Sequence, residues 1–547
     1  MEANFPLQVI TTLQGVEANF QPFSKFLQNW NFFREVSMLQ DSPSTTPCPR
    51  FGLARFLTTL WGNADMAGVS PKKSFLGFIL AWVVFLGIIL FMPQPEGLSQ
   101  QGKATLAVVA WASIIWVSEA IPVGITGVAI PMLLTLSGAV DKFPKAVSGF
   151  TSNAYFICMI AFIMAAIIQV AGIDKRIAIT LLHKLRIKSA NSTIMGLFGV
   201  NFILSIIVPG ANPRGALLLP IVNGITNLFG DTPAERAVKK HIMIQVLVYG
   251  SMISGMCILT SHLPNLVLVG LFSKELHLDI SYLDWFILQW PYLGMFFLTN
   301  FWLRSHFKTK NMGIEGGAQV LTEQFKRLPQ ISQSEILILL IFGFTATLWM
   351  TQSWHHIPSH VVAMLGLILL FIPGIFPFTW KQIQERTIWG TLIMLGGALS
   401  MSQCMGSSGL AAWLAEHIHI FAVGHPWWLI LLIIMVGTHI IRLGMLSNVA
   451  AVSLFAPILV KLAPTLGLHP VAFTMLVADT DTFAYILPTQ ITVAVIAYSS
   501  NTFSMADYAK AGWVSVLMAI GYGIFVMVPW YAFLGLPVWD PTAPWPF

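Results

Sequence analysis

Apolar runs of about 18 residues or more, each long enough to cross a hydrocarbon core of roughly 30 Å, recur along the chain. They extend from "SFLGFILAWVVFLGIILFM" at 74–92 to "WVSVLMAIGYGIFVMVPWYAFL" at 513–534. In hydrocarbon each backbone N–H and C=O must be bonded within the protein, so runs of this length are helices. Their number predicts an all-α polytopic membrane protein with about 11 spans of that length. Composition agrees: 56% of the 547 residues are hydrophobic and 10% are charged, against about 25% charged in a soluble domain.

Charge placement predicts orientation. Lys72 and Lys73 precede the first span, Lys175, Arg176, Lys184, Arg186 and Lys188 cluster later, and Arg304, Lys308, Lys310, Lys326 and Arg327 fill a central polar stretch. By the positive-inside rule these face the cytoplasm. The C-terminal "GLPVWDPTAPWPF" has no Lys or Arg and is expected outside, with the chain in the plasma (inner) membrane. Residues 1–73 are polar to amphipathic, carry "DSPSTTPCPR" and lack a signal-peptide pattern, so they are expected to form a cytoplasmic extension. Cys48, Cys158, Cys257 and Cys404 are scattered and indicate neither a disulfide framework nor a metal cluster.

The polar stretch 303–333 divides the membrane region into 74–302 and 334–547. The halves repeat. "AGIDKRIA" followed by "PGANPRGALLLPIV" is matched by "SGLAAWLA" followed by "MLSNVAAVSLFAPILV". Gly172 and Pro220 are 48 residues apart, as are Gly409 and Pro457, which fixes a register offset of 237. Ser447 then falls on Gly210, and Asn448 on Ala211. Each Gly follows an apolar stretch that reads as too interrupted for a simple span: "YFICMIAFIMAAIIQVAG" and "TLIMLGGALSMSQCMGSSG".

Such paired interruptions predict two inverted repeats with re-entrant hairpins and discontinuous helices, the arrangement of a secondary transporter with its site at the midplane. Where a helix stops inside the membrane, its freed amides suit anions and its freed carbonyls suit small cations. "RLGMLSNVAAVSLFAPIL" at 442–459 is such a place, with Gly444, Ser447 and Asn448 at the interruption.

At these residues the chain resembles the divalent anion/sodium symporter family of di- and tricarboxylate and sulfate carriers. That family carries a Ser-Asn-Thr motif in each half, after a re-entrant hairpin and before a Leu-Pro. The resemblance spans residues 75–535. "GGALSMSQCMGSSGLAAWLA" is similar to the family's hairpin, and "LSNVAAVSLFAPI" to its motif with Val449 in place of Thr. In the first half "GANPRGALLLPI" sets Gly210, Ala211 and Asn212 on the motif positions. "SHLPNLVLVG" keeps Pro264 and Asn265 of a Gly-Thr-Pro-Pro-Asn stretch that "LPTQITVAV" has lost.

The resemblance implies that Ser447, Asn448, Val449, Gly210, Ala211 and Asn212 bind substrate. It also implies a sodium site near Asn448, a first-half sodium site weakened at Gly210 and Ala211, a homodimer, and an elevator-like motion. Arg214 and Arg442 are expected to supply positive charge to an anionic substrate, since a guanidinium binds carboxylate or sulfate bidentately. Asp479 and Asp481, with Ser447 and Asn448, are the ion-coupling candidates; the acids either carry protons or pair with the arginines.

The expected function is secondary active transport of small divalent anions, dicarboxylates first, by exchange or cation-coupled symport. Competing readings are a sulfate or sulfonate carrier, a passive anion channel, and an intramembrane enzyme using Asp479 and Asp481. The last is disfavoured because residues i and i+2 of a helix point apart. No catalytic residue is assigned, and no cofactor is expected beyond a coupling sodium ion or proton. The expected partners are the anion, the bilayer and a second copy of the chain, with no nucleic acid. "TQSWHHIPSH" offers no third metal ligand beside His355 and His356, and "DTPAERAVKKH" at 231–241 reads as an interfacial helix between spans.

Overall fold

Apolar runs bounded by capping residues become helices throughout the computed structural model. It describes residues 71–547 except 186–188, 310, 314–316, 423 and 446, so nearly all of the expected N-terminal extension lies outside the described residues. Among the described residues every regular element is helical, and one isolated bridge joins Ser189 to Gly313. Among the described residues, six helices of at least 18 residues are apolar enough to cross a membrane: Ser74–Phe91, Asn153–Val170, Ala190–Ile207, Gln333–Met350, Asn448–Thr465 and Met505–Phe533. The pair Trp380–Arg386 and Trp389–Ser407, bent by 64°, brings the number to seven, and Val123–Leu136, Ser359–Leu369 and Trp427–Arg442 are shorter apolar helices.

Helix starts repeat in the sequence register. Ile173–Lys184 is matched by Leu410–Ala422, Ala190–Ile207 by Trp427–Arg442, Ala211–Thr226 by Asn448–Thr465, and Pro233–Ile242 by Pro470–Thr482, each starting 237 residues later. The local causes also recur. Gly172 and Gly409 take positive φ, +69° and +80°, to reverse the chain between the paired helices. Pro233 and Pro470 sit in a first helical turn, where a missing N–H costs nothing.

Two readings need correction. Neither apolar stretch is interrupted: Asn153–Val170 is one continuous 18-residue helix, because its interior holds no Gly or Pro and its polar groups lie at the ends, and Trp389–Ser407 is one continuous 19-residue helix through "TLIMLGGALSMSQCMGS", its inner glycines tolerated within the helix. Ser152 caps the former, accepting from the Tyr155 amide at 3.3 Å. "DTPAERAVKKH" is not a separate interfacial helix either. Pro233–Ile242 passes through a π-helical stretch, Met243–Gly250, into Ser251–Cys257, with helical dihedrals at both junctions. The buried, mostly apolar residues that follow position 242 prolong it.

Backbones approach closely where glycines face one another. A Cβ on Gly397 would overlap the backbone of Gly127, so Val123–Leu136 and Trp389–Ser407 pack with little side chain between them. The polar stretch between the halves is tied down. Its helix Gly317–Lys326 lies on Ile173–Lys184, with Phe325 stacked on His183 at 4.4 Å. Arg176 donates to both carboxylate oxygens of Glu335, at 2.9 and 3.3 Å, and to the Pro329 carbonyl at 2.8 Å.

Among the described residues, two helix interruptions in each half bear on the site. In the first, Ile207 gives way to Ala211, and Cys257 to Leu263 through the short turn Leu259–Ser261. In the second, Arg442 gives way to Asn448, and Thr482 to Thr492 through Pro488–Gln490.

Candidate functional site

The first interruption of each half follows from local chemistry. Pro209 has no N–H to donate, and Gly210 sits at φ +83°, a conformation costly for any residue with a Cβ. Helix Ala211–Thr226 therefore starts with no side-chain cap, and its first amides present their N–H groups and partial positive charge. In the second half Ser447 is the cap, its Oγ accepting from the Ala450 amide at 3.2 Å. Ser447 and Asn448 are half-buried and Asn212 is exposed, whereas Val449 is packed in the apolar core.

Arg214, three residues into the uncapped helix, has no solvent exposure. Its guanidinium donates to the carbonyls of Val208 at 3.0 Å, Ser251 at 2.7 Å and Ser261 at 3.4 Å, to Asn201 Oδ1 at 3.2 Å, and to the Ser261 hydroxyl. Val208 O belongs to the first interruption and Ser261 O to the second, so one side chain fastens both. The space exists because position 255 is glycine: a Cβ there would stand 2.9 Å from Arg214 Nη2 and 3.1 Å from Ser261 O.

Arg442 does the corresponding work from a non-equivalent position, at the end of Trp427–Arg442. It donates to Met445 O and Asn448 Oδ1 at its own interruption and to Gln490 O, 3.0 Å away, at the next. Gln490 replies, its Nε2 donating to Arg442 O at 3.2 Å while its Oε1 accepts from the Leu487 amide at 2.7 Å. Gln490 thus caps the region where "LPTQITVAV" lacks the Pro-Pro-Asn. Asp481 Oδ2 lies 3.5 Å from Arg442 Nε, and both side chains are almost wholly buried. Asp479 points elsewhere, accepting from Gln289 Nε2 at 2.7 Å and from the Tyr531 hydroxyl at 3.4 Å. The acids thus separate: Asp481 pairs with an arginine, and Asp479 rests on neutral donors.

A chain of side chains joins the halves. Asn265 Nδ2 faces three carbonyls at and just past the end of Ser251–Cys257, those of Gly255, Met256 and Ile258, at 3.1–3.3 Å. Its Oδ1 stands 3.3 Å from His262 Nδ1, and His262 Nε2 stands 3.2 Å from Asn448 Nδ2. Asn448 Oδ1 accepts from Arg442. Both ends fix the direction: carbonyls only accept and a guanidinium only donates. His262 therefore donates through Nδ1 and accepts through Nε2, which requires the neutral ring. Sequence reading overlooked His262. It stands in "SHLPNLVLVG", two residues before the retained Pro264, but nothing local marks it as a link between the halves.

Residues 72–536 match the family described as the sodium:sulfate symporter transmembrane region. The chain belongs to this family. It is therefore a multi-pass membrane transport protein and not an enzyme. A membrane protein of Cupriavidus necator is 28% identical over 478 residues, covering 84% of this chain and 92% of the relative. A sodium-dependent dicarboxylate transporter, SdcS, of Staphylococcus saprophyticus is 25% identical over 495 residues, covering 85% and 93%.

Among solved structures, the YdaH transporter of Alcanivorax borkumensis aligns with TM-score 0.51 at 14% identity, covering 79% of this chain and 98% of that one. MtrF of Neisseria gonorrhoeae aligns with TM-score 0.54 at 13% identity, covering 90% and 100%. These two share the fold alone.

Membership in the sodium:sulfate symporter family supports sodium as the coupling ion. The residues at the interruptions do not fit one. Sodium is held by oxygen lone pairs, and here Val208 O, Ser261 O, Met445 O, Asn448 Oδ1 and Gln490 O all face guanidinium N–H groups. A monovalent cation about 4 Å from a guanidinium meets a repulsion of about 4 kcal/mol at an effective dielectric of 20.

Proposed function

We propose that the chain is a secondary active carrier of small divalent anions, dicarboxylates first. One observation carries this reading: the Asn448–His262 contact draws the second half's helix start against the interruption of the first half. Helix starts at Ala211 and Asn448 offer amide N–H groups and partial positive charge, the setting for a carboxylate or sulfate oxygen. Ser447, Asn448 and Asn212 add a hydroxyl and two amides within reach of bulk or substrate. In this reading Gly210 and Ala211 contribute backbone donors, and Val449 contributes shape rather than a hydroxyl.

Arg214 and Arg442 act on the anion through their charge rather than by direct contact, since both side chains are wholly buried and held by protein oxygens. Asp481 balances Arg442. The relatives' activity favours dicarboxylates, and the family description favours sulfate as the second reading. The larger frame of the proposal comes from the resemblance. It comprises inverted halves 74–302 and 334–547 joined by 303–333, a homodimer, and an elevator-like motion. The positive-inside count adds a plasma-membrane location with the N-terminus cytoplasmic and the C-terminus outside.

The test is counterflow. Purified protein in liposomes loaded with unlabelled succinate takes up labelled succinate from outside, and excess external dicarboxylate or sulfate competes according to fit. Absence of saturable uptake with either anion removes the carrier reading, and uptake unaffected by internal anion together with linear concentration dependence indicates a channel.

A further inference from the structure

Carbonyls freed by a helix interruption at membrane depth must find a cation or a donor. In carriers named for sodium dependence a mobile ion supplies part of that positive charge. In this chain the charge is covalently attached. Arg214 fills the first half's interruptions from within and touches oxygens on four residues, Asn201, Val208, Ser251 and Ser261. Arg442 fills the second half's, touching Met445, Asn448 and Gln490. The two arginines are not repeat-equivalent, as position 451 is Ala and position 205 is Ser. Each half has thus brought a guanidinium to its freed oxygens by a separate route.

We propose that Arg214 and Arg442 are built-in cations that take the place of sodium, and that the chain is a sodium-independent, obligatory anion exchanger. The first part rests on the geometry of the interruptions alone. The second rests also on the reading of those interruptions as the anion site.

Obligatory exchange follows from what a tethered cation cannot do. A sodium-coupled carrier releases its ions with its substrate and resets with a nearly neutral site. Here the guanidiniums stay. Arg442 is balanced by Asp481, but among the described residues no carboxylate lies within 4.0 Å of Arg214. An empty site therefore keeps an unbalanced buried positive charge, and carrying such a charge through a low-dielectric region is costly. A bound divalent anion offsets it, so the site crosses readily only when an anion is bound, in either direction.

Two measurements on the wild-type protein decide the proposal. The first needs no substrate: thermal unfolding of purified protein in sodium chloride and in choline chloride at equal ionic strength. The expected result is the same unfolding temperature in both salts. A sodium-specific rise, the signature of an ion bound to the folded state, overturns the built-in cation. The second is labelled succinate uptake into vesicles that contain either succinate or no exchangeable anion, with sodium or choline as the cation. Uptake is expected only in loaded vesicles, at one rate in both cations. Concentrative uptake into unloaded vesicles under a sodium gradient overturns the proposal.

Should neither succinate nor sulfate move under any condition, the carrier reading and obligatory exchange fall together, while the unfolding comparison still decides the built-in cation. Arg214→Gly adds a positive control. Its vacated oxygens are expected to accept an external ion, giving a sodium-specific rise in unfolding temperature that wild type lacks. A folded variant without that gain contradicts the assignment. Arg442→Gly serves the same purpose if the first variant does not fold.

Discussion

Asn448 Nδ2 stands 3.2 Å from His262 Nε2, a contact between side chains 186 positions apart that closes a hydrogen-bond chain from Arg442 to the carbonyls of Gly255, Met256 and Ile258. Every member has one allowed direction, so the chain cannot be rearranged by flipping a single group.

His262→Phe is expected to keep the ring volume and lose both polar contacts. Losing a hydrogen bond of this kind costs about 1–3 kcal/mol, which corresponds to a roughly 5- to 150-fold weakening in substrate affinity. Succinate competition in the counterflow assay reads that change. Wild-type affinity in a folded His262→Phe protein removes the chain from the substrate site.

Gly255→Ala tests the seat of Arg214. The added methyl group meets Arg214 Nη2 at 2.9 Å and the Ser261 carbonyl at 3.1 Å, and the carbonyl belongs to backbone that cannot swing away. Overpacking of this sort costs about 1–3 kcal/mol. A lower unfolding temperature is expected, together with slower counterflow. A variant as stable and as active as wild type shows that the packing around Arg214 is looser than described.

Asp481→Asn leaves Arg442 buried without its charged partner, and breaking a buried pair from one side costs about 3–5 kcal/mol. The expected result is a marked fall in unfolding temperature. The double variant Asp481→Asn with Arg442→Met should regain part of that stability without regaining transport, because the Met445, Asn448 and Gln490 oxygens then lose their donor. Recovery of transport in the double variant refutes a role for the guanidinium.

Asp479→Asn is expected to preserve both folding and counterflow. Among the described residues its carboxylate is hydrogen-bonded to Gln289 and Tyr531 and to neither arginine nor Asn448. A strong loss of proton-gradient-driven uptake in this variant would instead assign Asp479 the coupling proton.

Much of the molecule was legible in its sequence, and the reasons are local. Apolar run length dictates helices in a membrane, and the 237-residue register predicted which helices start together. Gly172, Gly210 and Gly409 mark chain reversals and an uncapped helix start through their backbone freedom alone. Interruptions at Gly210 and Ser447 were readable because caps and breakers act within a few residues. The stretch before Gly172 was expected to be interrupted, yet Asn153–Val170 is continuous because nothing in its interior breaks the backbone ladder.

The partners of the charged groups were decided only by the tertiary structure. Arg214 was expected to face substrate, yet it lies sealed among oxygens contributed from positions 201, 208, 251 and 261. Asp479 and Asp481 read alike in "LVADTDTFAYILP" and separate because helix geometry turns one toward Arg442 and the other toward Gln289. His262 carries no local signal as a link, since its partner belongs to the other half. Sequence by itself determined where the backbone runs out of internal hydrogen bonds. Which charge satisfies those groups depended on the packing of helices distant in sequence, because electrostatic partnership is set by proximity in space.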